Sequence, residues 1–148
     1  MASRQPPSPP TIFLDASVLF AATLSKQGYA HDLIVAGSSG GIELFVSTFV
    51  LIKTRRNLAR KASRALPELD GLLALAPVRL SDPSPSLVQQ VATDIALKDA
   101  PIVAGAIHTG AAYLATYDRK HLLARASLIE ARFGVVVATP ETIHTAVT

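Results

Sequence analysis

Two short, largely apolar runs each end in an aspartate, and this restricts the fold more than any other feature. Thr11–Leu14 leads into Asp15, and Tyr113–Tyr117 leads into Asp118. Runs this short and this apolar suit strands buried on both faces, as in a parallel sheet covered by helices. In open sheets of that kind ligands gather at the carboxyl ends of the strands, above all where strand order reverses. Two carboxylates held at one edge repel each other unless a cation shares them. The placement therefore reads as a metal-binding α/β domain.

The remaining pattern alternates strand and helix. Further strands are predicted at Ile42–Val46, Val78–Leu80, Ala112–Thr116 and Val135–Ala138. A helix is predicted from Val18 to about Ala36, broken near Gly28. Ser47 reads as the N-cap of a second helix that Pro67 stops near Leu66. Short helices follow at Leu69–Leu75 and Ser86–Leu97. Asp99 reads as an N-cap with Pro101 in the first turn of a helix reaching about His108. Asp118 opens a helix to about Ala131, and Pro140–Val147 closes the chain. Strict alternation implies parallel strands with helices on both faces.

Composition narrows the classes. Of 148 residues, 49% are hydrophobic and 17% charged, enough for one packed core. Met1–Pro10 is proline-rich with no apolar run, so it reads as a flexible arm before a domain spanning residues 11–148. No stretch of transmembrane length is uninterrupted, and no cysteine is available for a disulfide or a thiolate site. A cytoplasmic location is expected. No serine sits in a Gly-x-Ser-x-Gly elbow, and no glycine-rich loop follows the first strand, so a hydrolase triad and a nucleotide-binding loop lack support.

Asp15, Asp99 and Asp118 are the candidate metal ligands. Asp15 and Asp118 end strands, and Asp99 begins the helix before the strand leading to Asp118. Mg²⁺ and similar hard cations take carboxylate oxygens and keep several waters. Each aspartate taken alone reads more readily as a helix cap, but the three together are harder to explain by capping, because two of them would share one sheet edge. His108 and His121 have no histidine at ligand spacing and read as helix-end residues.

Four segments carry a resemblance to a known family. Ile12-Phe13-Leu14-Asp15-Ala16-Ser17-Val18-Leu19 resembles the opening motif of PIN domains. Lys98-Asp99-Ala100-Pro101-Ile102-Val103 resembles their third motif, and Ala112 through Leu122, with Thr116-Tyr117-Asp118 at its centre, resembles the fourth. Gly134 through Glu141 is similar to the family's last strand and turn. The resemblance runs from about Thr11 to the C-terminus. It implies a three-layer α/β/α fold with a five-stranded parallel sheet of order 3-2-1-4-5. It also implies a Mg²⁺- or Mn²⁺-dependent nuclease acting on RNA, often the toxin of a toxin–antitoxin pair. Asp15, Asp99 and Asp118 would then be both catalytic and metal-holding, with Ser17 and Thr116 positioning water or phosphate. A small antitoxin protein and a second copy of the chain are the protein partners implied.

One position departs from the family pattern. The glutamate expected on the helix after the second strand is Lys53, and no acid lies between Glu43 and Glu68. At ~6 Å from a divalent ion, exchanging a carboxylate for an ammonium weakens binding by ~3 kcal/mol even with water-like screening. That is roughly a hundredfold in affinity. Two readings follow: a ribonuclease with a weakened acidic site, or a catalytically degenerate domain that binds RNA or protein.

Lys53 also opens a basic block with Arg55, Arg56, Arg60, Lys61 and Arg64, with no acid among them. Helical spacing puts Lys53, Asn57, Arg60 and Arg64 on one stripe. Arg56, Arg60 and Arg64 are the predicted contacts to an RNA backbone, positioning a strand without reading its sequence. A solvated helix face accounts for the block equally well. Aromatic residues make up only 5%, so a base-stacking platform is not expected.

Overall fold

A computed structural model describes residues 8–148. The prediction of an N-terminal arm falls largely outside these residues. Pro10 already engages the sheet, its carbonyl accepting the Glu43 N–H at 2.9 Å.

Five parallel strands form one sheet of order β3-β2-β1-β4-β5. They are β1 (Thr11–Leu14), β2 (Glu43–Val46), β3 (Val78–Leu80), β4 (Tyr113–Ala115) and β5 (Val136–Ala138). Around them lie α1 (Ala16–Leu24), α2 (Tyr29–Ala36), α3 (Thr48–Lys61) and α4 (Leu66–Leu75). The remaining helices are α5 (Pro85–Val91), α6 (Ala100–His108), α7 (Ala126–Phe133) and α8 (Pro140–Val147). Ile12, Phe13 and Leu14 are all fully buried. Successive strand residues point to opposite faces, so helices cover β1 on both sides. Chain order reverses between β1 and β4, which pair in register at Leu14 and Ala115.

The close approach of α6 to β1 depends on Gly105. A Cβ there would stand 2.5 Å from Phe13 Cζ. Gly134, with φ +73°, ends α7 in the left-handed conformation that glycine adopts without strain. Among the described residues no helix is long and apolar enough to cross a membrane.

Three predicted helices need correction. Pro67 does not stop α3, which ends at Lys61; it sits in the first turn of α4, where its missing N–H has no intrahelical partner to lose. The helix predicted to Leu97 ends at Val91. Beyond it Asp94 and Asp99 donate from their backbones to Val91 and Ala96, turns that tuck Ile95 into the core. The helix predicted from Asp118 begins only at Ala126. The Leu123 N–H closes a wide turn onto the Asp118 carbonyl at 2.9 Å, placing Leu122 in the core.

Candidate active site

The site is built where β1 and β4 end. The Asp15 N–H donates to the Ala115 carbonyl, and the Thr116 N–H to that of Ala138, each at 3.0 Å. These bonds carry the ladder one residue past the strands and set Asp15 beside Thr116. Asp15 also caps α1, its Oδ1 accepting the Ala16 N–H at 2.8 Å. Its Oδ2 accepts from the hydroxyls of Ser17 and Thr116, both at 2.8 Å. Those hydroxyls accept in turn from the backbone N–H groups of Tyr117 and Asp118, each at 3.0 Å. Ser17 and Thr116 thus spend their protons on Asp15 and tie it to the backbone leading to Asp118.

Asp118 is held from one side. Both the backbone N–H and the ring Nδ1 of His121 lie 3.2 Å from its Oδ1. The other ring nitrogen, Nε2, meets Lys98 Nζ at 2.8 Å. Next to this, Tyr117 donates its hydroxyl to Glu141 at 2.5 Å. Burial, and then the Glu141 bond and charge, push the Tyr117 phenol well above its ordinary value.

Asp15 and Asp118 face one open cleft of about 240 Å³, walled opposite by Lys53, Asn57 and Lys61 of α3. Lys53 is half-buried there. Among the described residues, no ion pair joins it to either aspartate. Lys61 lies with its ammonium 5.9 Å from the Phe20 ring centroid, a distance that allows cation–π attraction.

Asp99 is in a different place. It occupies the N-cap position of α6, but its carboxylate makes no capping hydrogen bond and its backbone is helical. It lines a separate cavity of about 110 Å³, together with Asp94, Lys120, His121 and Arg125. Among the described residues, no three Asp, Glu or His side chains form a ready metal cage.

The basic stripe differs from its predicted course. Residues one turn apart on α3 put Lys53, Asn57 and Lys61 on the cleft wall, whereas Arg56 and Arg60 are exposed outside it. Arg64 follows the end of α3 in a 3-10 turn and lines another groove with Lys26 and Glu68. Lys61 is the cleft residue that the stripe missed; i, i+4, i+8 counting from Lys53 identifies it. Arg55 is engaged elsewhere, with Asp70 at 2.7 Å. No signal in the sequence pairs Lys98 with His121.

The model of the PIN domain family matches residues 12–128. The chain belongs to the PIN domain family. No curated protein matches this PIN domain in sequence. Among solved structures it is similar to PAE2754 from Pyrobaculum aerophilum, at 20% identity and TM-score 0.65, over 93% of this chain and 95% of that one. It is also similar to VapC20 of Mycobacterium tuberculosis, a toxin that cleaves the sarcin–ricin loop, at 21% identity and TM-score 0.58, over 76% and 94%. VapBC2 from Rickettsia felis, bound to a DNA fragment from its promoter, aligns at 15% identity and TM-score 0.64, over 87% and 98%. At these identities the likeness is one of fold.

Proposed function

We propose that this PIN domain is a ribonuclease working with Mg²⁺ or Mn²⁺, its acidic site weakened by Lys53. The observation that carries the reading is that Asp15 and Asp118, at the ends of the adjacent strands β1 and β4, line one cleft with a basic opposite wall. Carboxylate oxygens suit a hard cation that keeps several waters and needs few protein ligands. Both His121 contacts to Asp118 fall on Oδ1, and Asp99 makes no capping bond, so donor oxygens remain available.

Asp15 and Asp118 would hold the ion directly in the cleft, and Asp99 would act on it through the waters that the ion keeps. When bound, such an ion activates a water and offsets the charge that builds on the phosphodiester. Ser17 and Thr116 fix the orientation of Asp15. Lys53 and Lys61 draw the RNA phosphates into the cleft, and Arg56, Arg60 and Arg64 extend the positive surface outward. RNA cleavage in Mn²⁺ tests the proposal: wild type cuts and Asp15→Asn does not. Equal activity in the two disposes of it.

Lys53 favours a second reading, a degenerate PIN domain that binds RNA or protein without cutting. Lys53→Glu separates the two. Under the first reading it tightens Mn²⁺ binding roughly a hundredfold and speeds existing cleavage. Under the second it creates cleavage where wild type shows none. A small antitoxin protein or a second copy would find apolar surface at Phe49 and Ile52, exposed on α3 at 41% and 51%. Sedimentation of the purified chain, alone and with a candidate antitoxin, decides between them. A cytoplasmic location is part of the same proposal.

A further inference from the structure

We propose that His121, held by Lys98, is a positioning residue that fixes the carboxylate of Asp118 for cation binding; the inference rests on the metal-dependent reading of the cleft. His121 is 43% exposed in its side chain, yet both ring nitrogens are engaged. Nε2 lies 2.8 Å from Lys98 Nζ, and Nδ1 lies 3.2 Å from Asp118 Oδ1. An ammonium group only donates hydrogen bonds. Nε2 therefore accepts from the ammonium, which leaves Nδ1 as the ring nitrogen that donates to Asp118. The chain runs in one direction, from Lys98 through His121 to Asp118.

A simple turn needs only the His121 backbone N–H on Asp118, and that bond is present as well. The ring and the Lys98 bond are additional. They join two segments that each carry an acidic residue of the site: Lys98 directly precedes Asp99, and His121 lies three residues after Asp118. His121 also lines the cavity that Asp99 faces. One hydrogen-bond chain thus links the segment that carries Asp99 to the carboxylate of Asp118.

The chemistry suits a metal ligand. Two donors converge on Oδ1, which leaves Oδ2 as the oxygen with no bond from His121. The imidazole orients the carboxylate through its Nδ1 contact at 3.2 Å. The positive charge of Lys98 stays behind the ring instead of pairing directly with Asp118. Hydrogen-bond partners of this kind typically change metal affinity ten- to a hundredfold when removed.

Nitrogen-15 NMR of the imidazoles in the metal-free full chain reads the first half of the proposal. His121 is expected as the Nδ1–H tautomer in wild type and as a mixture in Lys98→Met. Calorimetric titration with MnCl₂ reads the second half. His121→Phe is expected to weaken binding about tenfold or more. His121→Asn, whose amide can replace the Nδ1–H donor, should stay within about threefold of wild type. An Nε2–H tautomer in wild type overturns the chain, whatever the metal does. Equal affinities for His121→Phe and wild type overturn the positioning role. Absence of Mn²⁺ binding by wild type, with the Nδ1–H tautomer present, overturns the metal reading of the cleft and the positioning role with it.

Discussion

Asp15 and Asp99 are both buried carboxylates at the start of a helix, exposed by only 3% and 4%, and their surroundings are opposite. Asp15 accepts three hydrogen bonds, from the Ala16 N–H and from the hydroxyls of Ser17 and Thr116. It fastens the end of β1 to the end of β4. Asp99 occupies an N-cap position without capping, beside a cavity. The fold therefore uses the Asp15 carboxylate as a fastener, whereas that of Asp99 makes no capping bond and lines the cavity.

The largest effect is expected at Asp15. Asp15→Ala leaves the Ser17 and Thr116 hydroxyls without their acceptor, a loss of about 3 kcal/mol. For a chain of this size that lowers the melting temperature by roughly 10 °C, measured in EDTA so that no cation contributes. A drop of only a degree or two would break the comparison.

Gly105→Ala supplies a benchmark for damage to the fold alone. The new Cβ would collide with Phe13, and overpacking of this kind weakens a core by about 2 kcal/mol. Mn²⁺ affinity per folded molecule should be unchanged. If it falls along with stability, fold and site are not separable as the aspartates suggest.

Asp99→Asn is expected to melt within about two degrees of wild type in EDTA, because its carboxylate makes no capping bond to lose. The rise in melting temperature that Mn²⁺ gives wild type should shrink, because a ligand stabilises only the state that binds it. A variant that is clearly less stable without metal would show that Asp99 serves the fold after all.

Asp82 completes the series as an exposed carboxylate outside the site. It accepts from the Thr48 N–H at 2.7 Å and the Thr48 hydroxyl at 2.8 Å, at the start of α3. These bonds, the backbone one first, hold its carboxyl below the ordinary value of 3.8. Between the two values the unfolded chain binds more protons than the folded one, so stability rises with pH there. The stabilisation is complete above the ordinary value and is lost as pH falls through the lowered one. Asp82→Asn should weaken the fold by about 0.5 kcal/mol at neutral pH, solvent keeping the effect small. Urea unfolding of the two proteins should converge as pH falls through the lowered value.

Much of the architecture was readable from local chemistry. β1 and β3 have the predicted bounds, and the other strands lie within theirs, because short apolar runs between turn residues leave few other choices. Ser47 caps α3 as predicted, its Oγ accepting the Val50 N–H at 3.3 Å. Pro67 was ambiguous, since a proline is compatible with the end of one helix and the first turn of the next. The turn after Asp118 was hidden because its register depends on burying Leu122, which no local periodicity announces.

The order of residues along the chain was sufficient to put aspartates behind β1 and β4 and a lysine at the first turns of α3. Spacing, strand length and caps are local properties, and local properties survive in a sequence. It took the folded chain to decide that Thr116 bonds to Asp15, that Lys61 joins Lys53 on the cleft wall, and that Lys98 reaches His121. Those partners come from distant segments brought together by strand pairing and helix packing, and their geometry exists only once the core has closed.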